Sequence, residues 1–146
     1  LIHPSRCLWI SSPWISDIEM IDNRARQFGS LCPDWPATRI RLMQVLEALL
    51  ERGAQIAIAV NDSSHNDEFV SRLEPLLRIY ASNLRIMRSP ELHEKGIVGD
   101  WFSLTGSMNL TFNGVYVNQE HLSYTCNPER VAERRLGFLH RWGMDT

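Results

Sequence analysis

The stretch Leu92-His93-Glu94-Lys95-Gly96-Ile97-Val98-Gly99-Asp100, continued by Trp101-Phe102-Ser103-Leu104-Thr105-Gly106-Ser107-Met108-Asn109, decides how this chain is read. Leu92 to Val98 and Trp101 to Thr105 have the composition of strands. The Gly99-Asp100 dipeptide between them suits a tight hairpin turn. These residues predict an antiparallel pair, and the segments before them read differently.

Upstream, short apolar runs alternate with segments of helical period. Cys7 to Ile10 is a buried strand ended by Ser11-Ser12-Pro13. Trp14 to about Ile21 reads as a short helix, since proline is tolerated in a first helical turn. Asn23 to Pro36, with Gly29, Pro33 and Pro36, has no period and predicts a long loop. Thr38 to Arg52 is the clearest helix: Leu42, Val45, Leu46 and Leu49 share one face, Met43 and Leu50 widen it, and Gly53 stops it. Ala54 to Val60 is an unbroken apolar strand of the kind that parallel sheets bury on both sides. Asn61 to Asp67 is a turn able to cap the next helix. That helix is expected from Glu68 to Tyr80, kinked or divided at Pro75. Leu84 to Met87 and Glu120 to Thr125 are further strands. Asn127-Pro128-Glu129 opens a last helix with Val131, Arg135, Phe138 and Trp142 in one stripe. A parallel unit followed by a hairpin and a closing helix implies an α/β layered sandwich with a mixed sheet, helices on both faces.

The hairpin stretch also carries chemistry. On an extended chain residues two apart share a face, so His93 and Lys95 point the same way. The returning strand brings Gly106-Ser107-Met108-Asn109 beside them. An imidazole can attack phosphorus or move protons near neutral pH. Lys95 and Asn109 can neutralise and hydrogen-bond the equatorial oxygens of a phosphoryl transition state. Gly106 permits close approach of backbone to a phosphate.

These residues resemble the H-x-K-x4-D-x6-G-S-x-N signature of the phospholipase D superfamily. His93, Lys95 and Asp100 match its first part, and Gly106, Ser107 and Asn109 its second. Only five residues, not six, separate Asp100 from Gly106. Asn118-Gln119-Glu120 resembles the family's acidic position after the motif, and Ser12-Pro13-Trp14 its Ser-Pro-aromatic turn. The resemblance implies a phospholipase D-like sandwich and a two-step displacement. One motif histidine forms a phosphohistidine; a second protonates the leaving oxygen and then activates water or an alcohol. No metal ion and no cofactor are required. The implied catalytic set is His93, Lys95, Asp100, Ser107, Asn109 and Glu120. Glu120 would orient His93, and Asp100 would act mainly through backbone hydrogen bonds at its turn. His3, His65, His121 and His140 are not followed by a lysine two residues on. One chain therefore holds half a site, and the single-motif branch of the family completes it as a homodimer.

The length of 146 residues suits one domain spanning 1–146, and a first residue of Leu rather than Met leads to the expectation of a truncated N-terminus. With 44% hydrophobic and 22% charged residues, disorder is excluded. No apolar run is long enough to cross a membrane. Cys7, Cys32 and Cys126 are too scattered for a disulfide framework or a zinc site, which suggests reduced thiols in the cytoplasm. A net charge of −2 argues against a general nucleic-acid coat but allows a local basic cleft. All 15 basic residues except Lys95 are arginine. Lysine is a compact point charge and arginine a wide planar fork, so a tight phosphate pocket distinguishes them.

Substrate contacts are expected from Gly106, Trp101, Tyr116, Arg39 and Arg41. For the aromatics, base stacking and core packing are both open; the arginines either track a phosphodiester backbone or form solvated faces. The lead expectation is a nuclease acting on DNA or RNA, in a DNA-modification or phage-defence setting, with nucleic acid and a second copy of the chain as partners. A phospholipase or phosphatidyltransferase, and a non-catalytic module in a larger complex, are the alternatives.

Overall fold

The computed structural model describes residues 3–143. Six strands form one mixed sheet in the order β5-β4-β1-β6-β7-β8. They are β1 (Cys7–Ser11), β4 (Gln55–Val60), β5 (Leu84–Arg88), β6 (Gly96–Val98), β7 (Ser103–Gly106) and β8 (Leu122–Thr125). β5, β4 and β1 run parallel, and β6, β7 and β8 continue antiparallel. The fully buried Cys7–Ser11 run and the apolar β4 explain why those strands lie centrally.

Alternate residues of the central strands face opposite layers. Leu8, Ile10, Ile56, Ile58 and Val60 pack on Leu42, Leu46 and Leu49 of α1 (Leu42–Glu51) and on Phe69, Leu73 and Leu76 of α2 (Asp67–Ile79). Cys7, Trp9, Ala57 and Val98 face the other way, onto Phe138 of α3 (Pro128–Trp142). The predicted stripe of the last helix is met, with Asn127 accepting from Arg130 N as its cap and Arg135 stacked 5.5 Å over the Trp9 ring. Pro75 lies inside α2, which continues through it as one helix.

Two expectations near the N-terminal third are corrected. Trp14 to Ile21 is not helical. Ile15 N donates to Asn66 Oδ1 and Ser16 N to Leu110 O, so tertiary partners take the amides a helix would use. The following residues form β2 (Glu19–Asp22), paired antiparallel with β3 (Arg39–Arg41) in a separate two-stranded sheet. The helix expected from Thr38 therefore begins at Leu42. Ile40, fully buried between exposed Arg39 and Arg41, shows the period of a strand. Asp17 Oδ1 and Ile18 O accept the first amides of α1. The 23–36 segment is a loop as expected, closed by Asn23, whose side chain bonds Pro36 O and Phe28 N.

The hairpin turn is also wider than expected. Val98 pairs with Ser103, leaving Gly99 to Phe102 as the connection, with Gly99 N bonded to Phe102 O. Asp100 N donates to Ser5 Oγ, and Asp100 Oδ2 accepts from Arg6 N. The N-terminal segment thus holds the turn open. A single π-helical turn, Asn113–Val117, follows β7.

Candidate active site

The chain runs from β1 to β4 and β5 on one side, then crosses to β6 on the other side of β1. β1 and β6 therefore flank the point where strand order reverses, and in α/β sheets ligands bind beyond the carboxyl ends of the strands at that point. Ser11, the last residue of β1, is paired with Gly96, the first of β6. Gly96 is paired with Thr105, and Gly106 with Leu122. The register thus sets Lys95, Gly106 and the start of β8 side by side at one end of the sheet.

His93, Glu94 and Lys95 lie in the segment entering β6, not within the strand that the sequence predicts. Several bonds hold this segment. Leu92 is buried, Ser11 Oγ donates to Glu94 O at 2.9 Å, and Gly106 N donates to Lys95 O at 3.3 Å. Lys95 Nζ folds back to His93 O at 3.0 Å. Arg141 of α3 pairs with the Glu94 carboxylate. Between these anchors His93 is exposed, and its ring makes no hydrogen bond among the described residues. Lys95 lines a small niche with Ser11, Gly106, Met108 and Leu110.

Ser107 and Glu120 form a second part of the site. Ser107 Oγ donates to Glu120 Oε2 and accepts from His121 N, while Ser107 N donates to His121 O. Asn118 Nδ2 donates to Glu120 Oε1 at 3.2 Å. The expected Glu120–His93 contact is replaced here by this Ser107–Glu120–Asn118 group. The role of Gly106 is also specific: a Cβ there would stand 1.9 Å from His121 O, so only glycine lets β7 and β8 approach this closely. Gly114 plays the same part in the π-turn, where a Cβ would meet Asn109 O at 2.2 Å.

Asn109 Oδ1 accepts from Trp14 N at 3.2 Å, which ties the second half of the motif to the turn after β1. Ser12, fully buried, receives Leu110 N and donates to Trp14 O. Asn66, also fully buried, bonds Pro13 O, Asn61 O and Ile15 N. Sequence reading placed Ser12 in the Ser-Pro-aromatic turn and Asn66 in a capping turn, but saw neither as a buried clamp. Their signal is polarity at the ends of two apolar strands, which alone does not separate a buried clamp from a surface turn.

The remaining candidates lie elsewhere. The Asp100 side chain is 5% exposed at the hairpin tip, paired with Arg135 Nη2 at 3.3 Å and Arg6 Nε at 3.7 Å. Trp101, 68% exposed, sits at the same tip. The length of β6–β7 separates both from Lys95 and Gly106, so the structure does not gather them with His93. Tyr116 donates to Glu19 O and faces Phe112 at 5.3 Å. Arg39 and Arg41 flank Glu19, at 3.1 and 4.0 Å, and so are half-exposed but already paired. Among the described residues no three His, Cys, Asp or Glu side chains cluster as a metal ligand set. No helix among them is long and apolar enough to cross a membrane.

The family model described as "Cardiolipin synthase, PLD-like domain" matches residues 18–142. A comparison with curated proteins found no match. Among solved structures, Nuc from Salmonella typhimurium, a phospholipase D family member, superposes with a TM-score of 0.62 at 18% identity, covering 95% of this chain and 79% of that one. NucT from Helicobacter pylori gives 0.57 at 16%, covering 92% and 77%. TrmBL2, an archaeal chromatin protein with a novel mode of DNA binding, gives 0.59 at 12%, covering 97% of this chain. This chain spans only 45% of the length of TrmBL2. With the motif at the sheet's switch point and the family model over most of its length, the chain belongs to the phospholipase D-like family.

Proposed function

We propose that this chain is a metal-independent phosphodiesterase that cleaves DNA or RNA through a phosphohistidine, working as a homodimer. The observation that carries the reading is the gathering of Lys95, Gly106, Ser107 and Glu120 at one end of the sheet, beside an exposed His93 whose ring makes no hydrogen bond among the described residues. The imidazole of His93 attacks phosphorus, and the N–P bond forms as the bond to the leaving oxygen breaks. The partner's His93, protonated, donates its proton to that oxygen. It then takes a proton from water, whose oxygen attacks phosphorus and releases the first His93. Lys95 and the Nδ2 amide hydrogens of Asn109 stabilise the charge on the equatorial oxygens. Ser107, held between Glu120 and His121 N, fixes the loop that presents Asn109. Asp100 supports the site from the hairpin tip.

Nucleic acid is favoured as substrate by likeness to a DNA-binding chromatin protein and by the absence of a membrane-crossing helix among the described residues. A cytoplasmic role in DNA modification or phage defence fits this reading. The family description names cardiolipin synthase, so phosphatidyl transfer is the competing activity.

Incubation with single- and double-stranded DNA and RNA, and with phosphatidylglycerol vesicles, in excess EDTA separates these. Wild type should cleave nucleic acid, and His93→Ala should lose at least about 10³-fold with the fold retained. Lipid turnover without nucleic-acid cleavage would move the substrate to phospholipid. Unchanged activity in His93→Ala would leave a non-catalytic module, and an active monomer on sizing would refute the shared site.

A further inference from the structure

Trp14 has no place in the chemistry above, yet it is fastened to it. Its amide donates to Asn109 Oδ1 at 3.2 Å and its carbonyl accepts from Ser12 Oγ at 2.7 Å. The residues around it are clamped too: Pro13 O receives Asn66 Nδ2 at 2.8 Å and Ile15 N donates to Asn66 Oδ1 at 2.9 Å. Ser12, Ile15 and Asn66 are fully buried, whereas Trp14 is 53% exposed. A large indole thus stands out of a turn whose backbone is pinned by hydrogen bonds on both sides. The His65 ring lies 6.4 Å from it at 54°, with its Nε2 3.3 Å from Ser16 Oγ. Beside His65 an open cavity of about 290 Å³ is lined by Ser16, Asp17, Arg41, Glu68 and Arg72, where Arg72 is paired with both Asp17 and Glu68. Through the Trp14 N–Asn109 Oδ1 bond, a phosphate held at Asn109 would have an exposed aromatic surface on the neighbouring turn.

We infer that Trp14 is a stacking platform for the nucleobase beside the scissile phosphate, with His65 bracing the indole. This rests on the phosphodiesterase reading above and narrows its substrate. A base paired inside a duplex has both faces covered by its neighbours, so a single platform of this kind favours unpaired strands. Aromatic stacking of this sort is tolerant of base identity, since every base has a π-face. It gives a preference for strandedness without a sequence code.

The test uses two chains of equal length, an oligothymidylate and a chain of abasic spacers with the same phosphodiester backbone. Wild type, Trp14→Ala and Trp14→Phe are compared on both, and on oligothymidylate annealed to its complement. Trp14→Ala should raise KM for oligothymidylate about 5- to 100-fold with kcat nearly unchanged. Trp14→Phe should recover most of the loss. Hydrolysis of the abasic chain should be the same in all three proteins, which also verifies that the variants fold. Wild type should prefer the unpaired strand, and Trp14→Ala should lose that preference. An unchanged KM for oligothymidylate in Trp14→Ala, or an equal loss on the abasic chain, overturns the platform alone. A wild type inert on every substrate overturns the phosphodiesterase reading and the platform with it.

Discussion

The β6–β7 hairpin carries motif residues at both ends, and the two ends differ in what their polar groups are bonded to. At the tip, the Asp100 carboxylate is nearly buried and faces Arg6 N, Arg6 Nε and Arg135 Nη2, while Asp100 N meets Ser5 Oγ. At the open end, Lys95 makes one bond to a neighbouring carbonyl and the His93 ring makes none among the described residues. A buried carboxylate that accepts a backbone amide and faces two guanidinium groups is a structural device, because removing its charge leaves the mostly buried Arg135 without its carboxylate partner. An exposed imidazole beside an ammonium bonded only to a backbone carbonyl among the described residues contributes little to folding and is free to react. Membership in one motif therefore does not imply one kind of work.

The largest effect expected on this contrast comes from Gly106, which belongs to the open end but acts through packing. Gly106→Ala would press a Cβ against the His121 carbonyl and should cost about 3 kcal/mol, measured by urea denaturation. A stability equal to wild type would mean that β8 is not held at that distance. Next comes Asp100→Asn, which keeps shape and removes charge. It should lower stability by roughly 2–3 kcal/mol while kcat at a temperature where it is folded stays within about threefold. A large loss of kcat at unchanged stability would break the comparison by moving Asp100 into the chemistry. Ser107→Ala removes the donor to Glu120 and the acceptor of His121 N, and a loss near 1 kcal/mol is expected together with about tenfold in kcat.

The smallest effect concerns Cys7, whose thiol is pushed above its ordinary value by burial first and by the Asp100 charge second. An acid whose folded value is raised contributes stability fully below its unfolded value and loses it as pH rises through the folded one. Protein stability should therefore decline slightly on the alkaline side through Cys7. In D100N the thiol should alkylate somewhat faster at pH 9 than in wild type. Exposed Cys126 should react first in both, as mass spectrometry of the labelled peptides would record.

Much of the fold was legible because burial on two faces writes itself as unbroken apolar runs, as in β1 and β4, and burial on one face as helical period, as in α2 and α3. The β2–β3 pair was not. Glu19–Asp22 is half exposed, and its partner Arg39–Arg41 abuts the Leu42 helix, so a strong helical pattern absorbed three residues of strand. The Trp14 segment was misread for a related reason. Its local pattern permits a helix, and only the distant Asn66 and Leu110 claim its amides. For the candidate site, residue types and spacing pointed to His93, Lys95, Ser107 and Asn109. They did not reveal that Glu120 bonds Ser107, or that Asn109 holds Trp14.

The layered α/β class, the two central apolar strands, the hairpin and the family are written in the sequence, since they rest on local period and on a motif that departs from the family's spacing by one residue. Tertiary structure alone decided which motif residues meet. Crossing from β5 to β6 puts the hairpin's open end against the end of β1, while residues 5 and 6 claim Asp100 at the other end. Contacts such as Ser5–Asp100 and Trp14–Asn109 join residues some ninety positions apart. No pattern within one segment encodes them; they follow from how the layers pack.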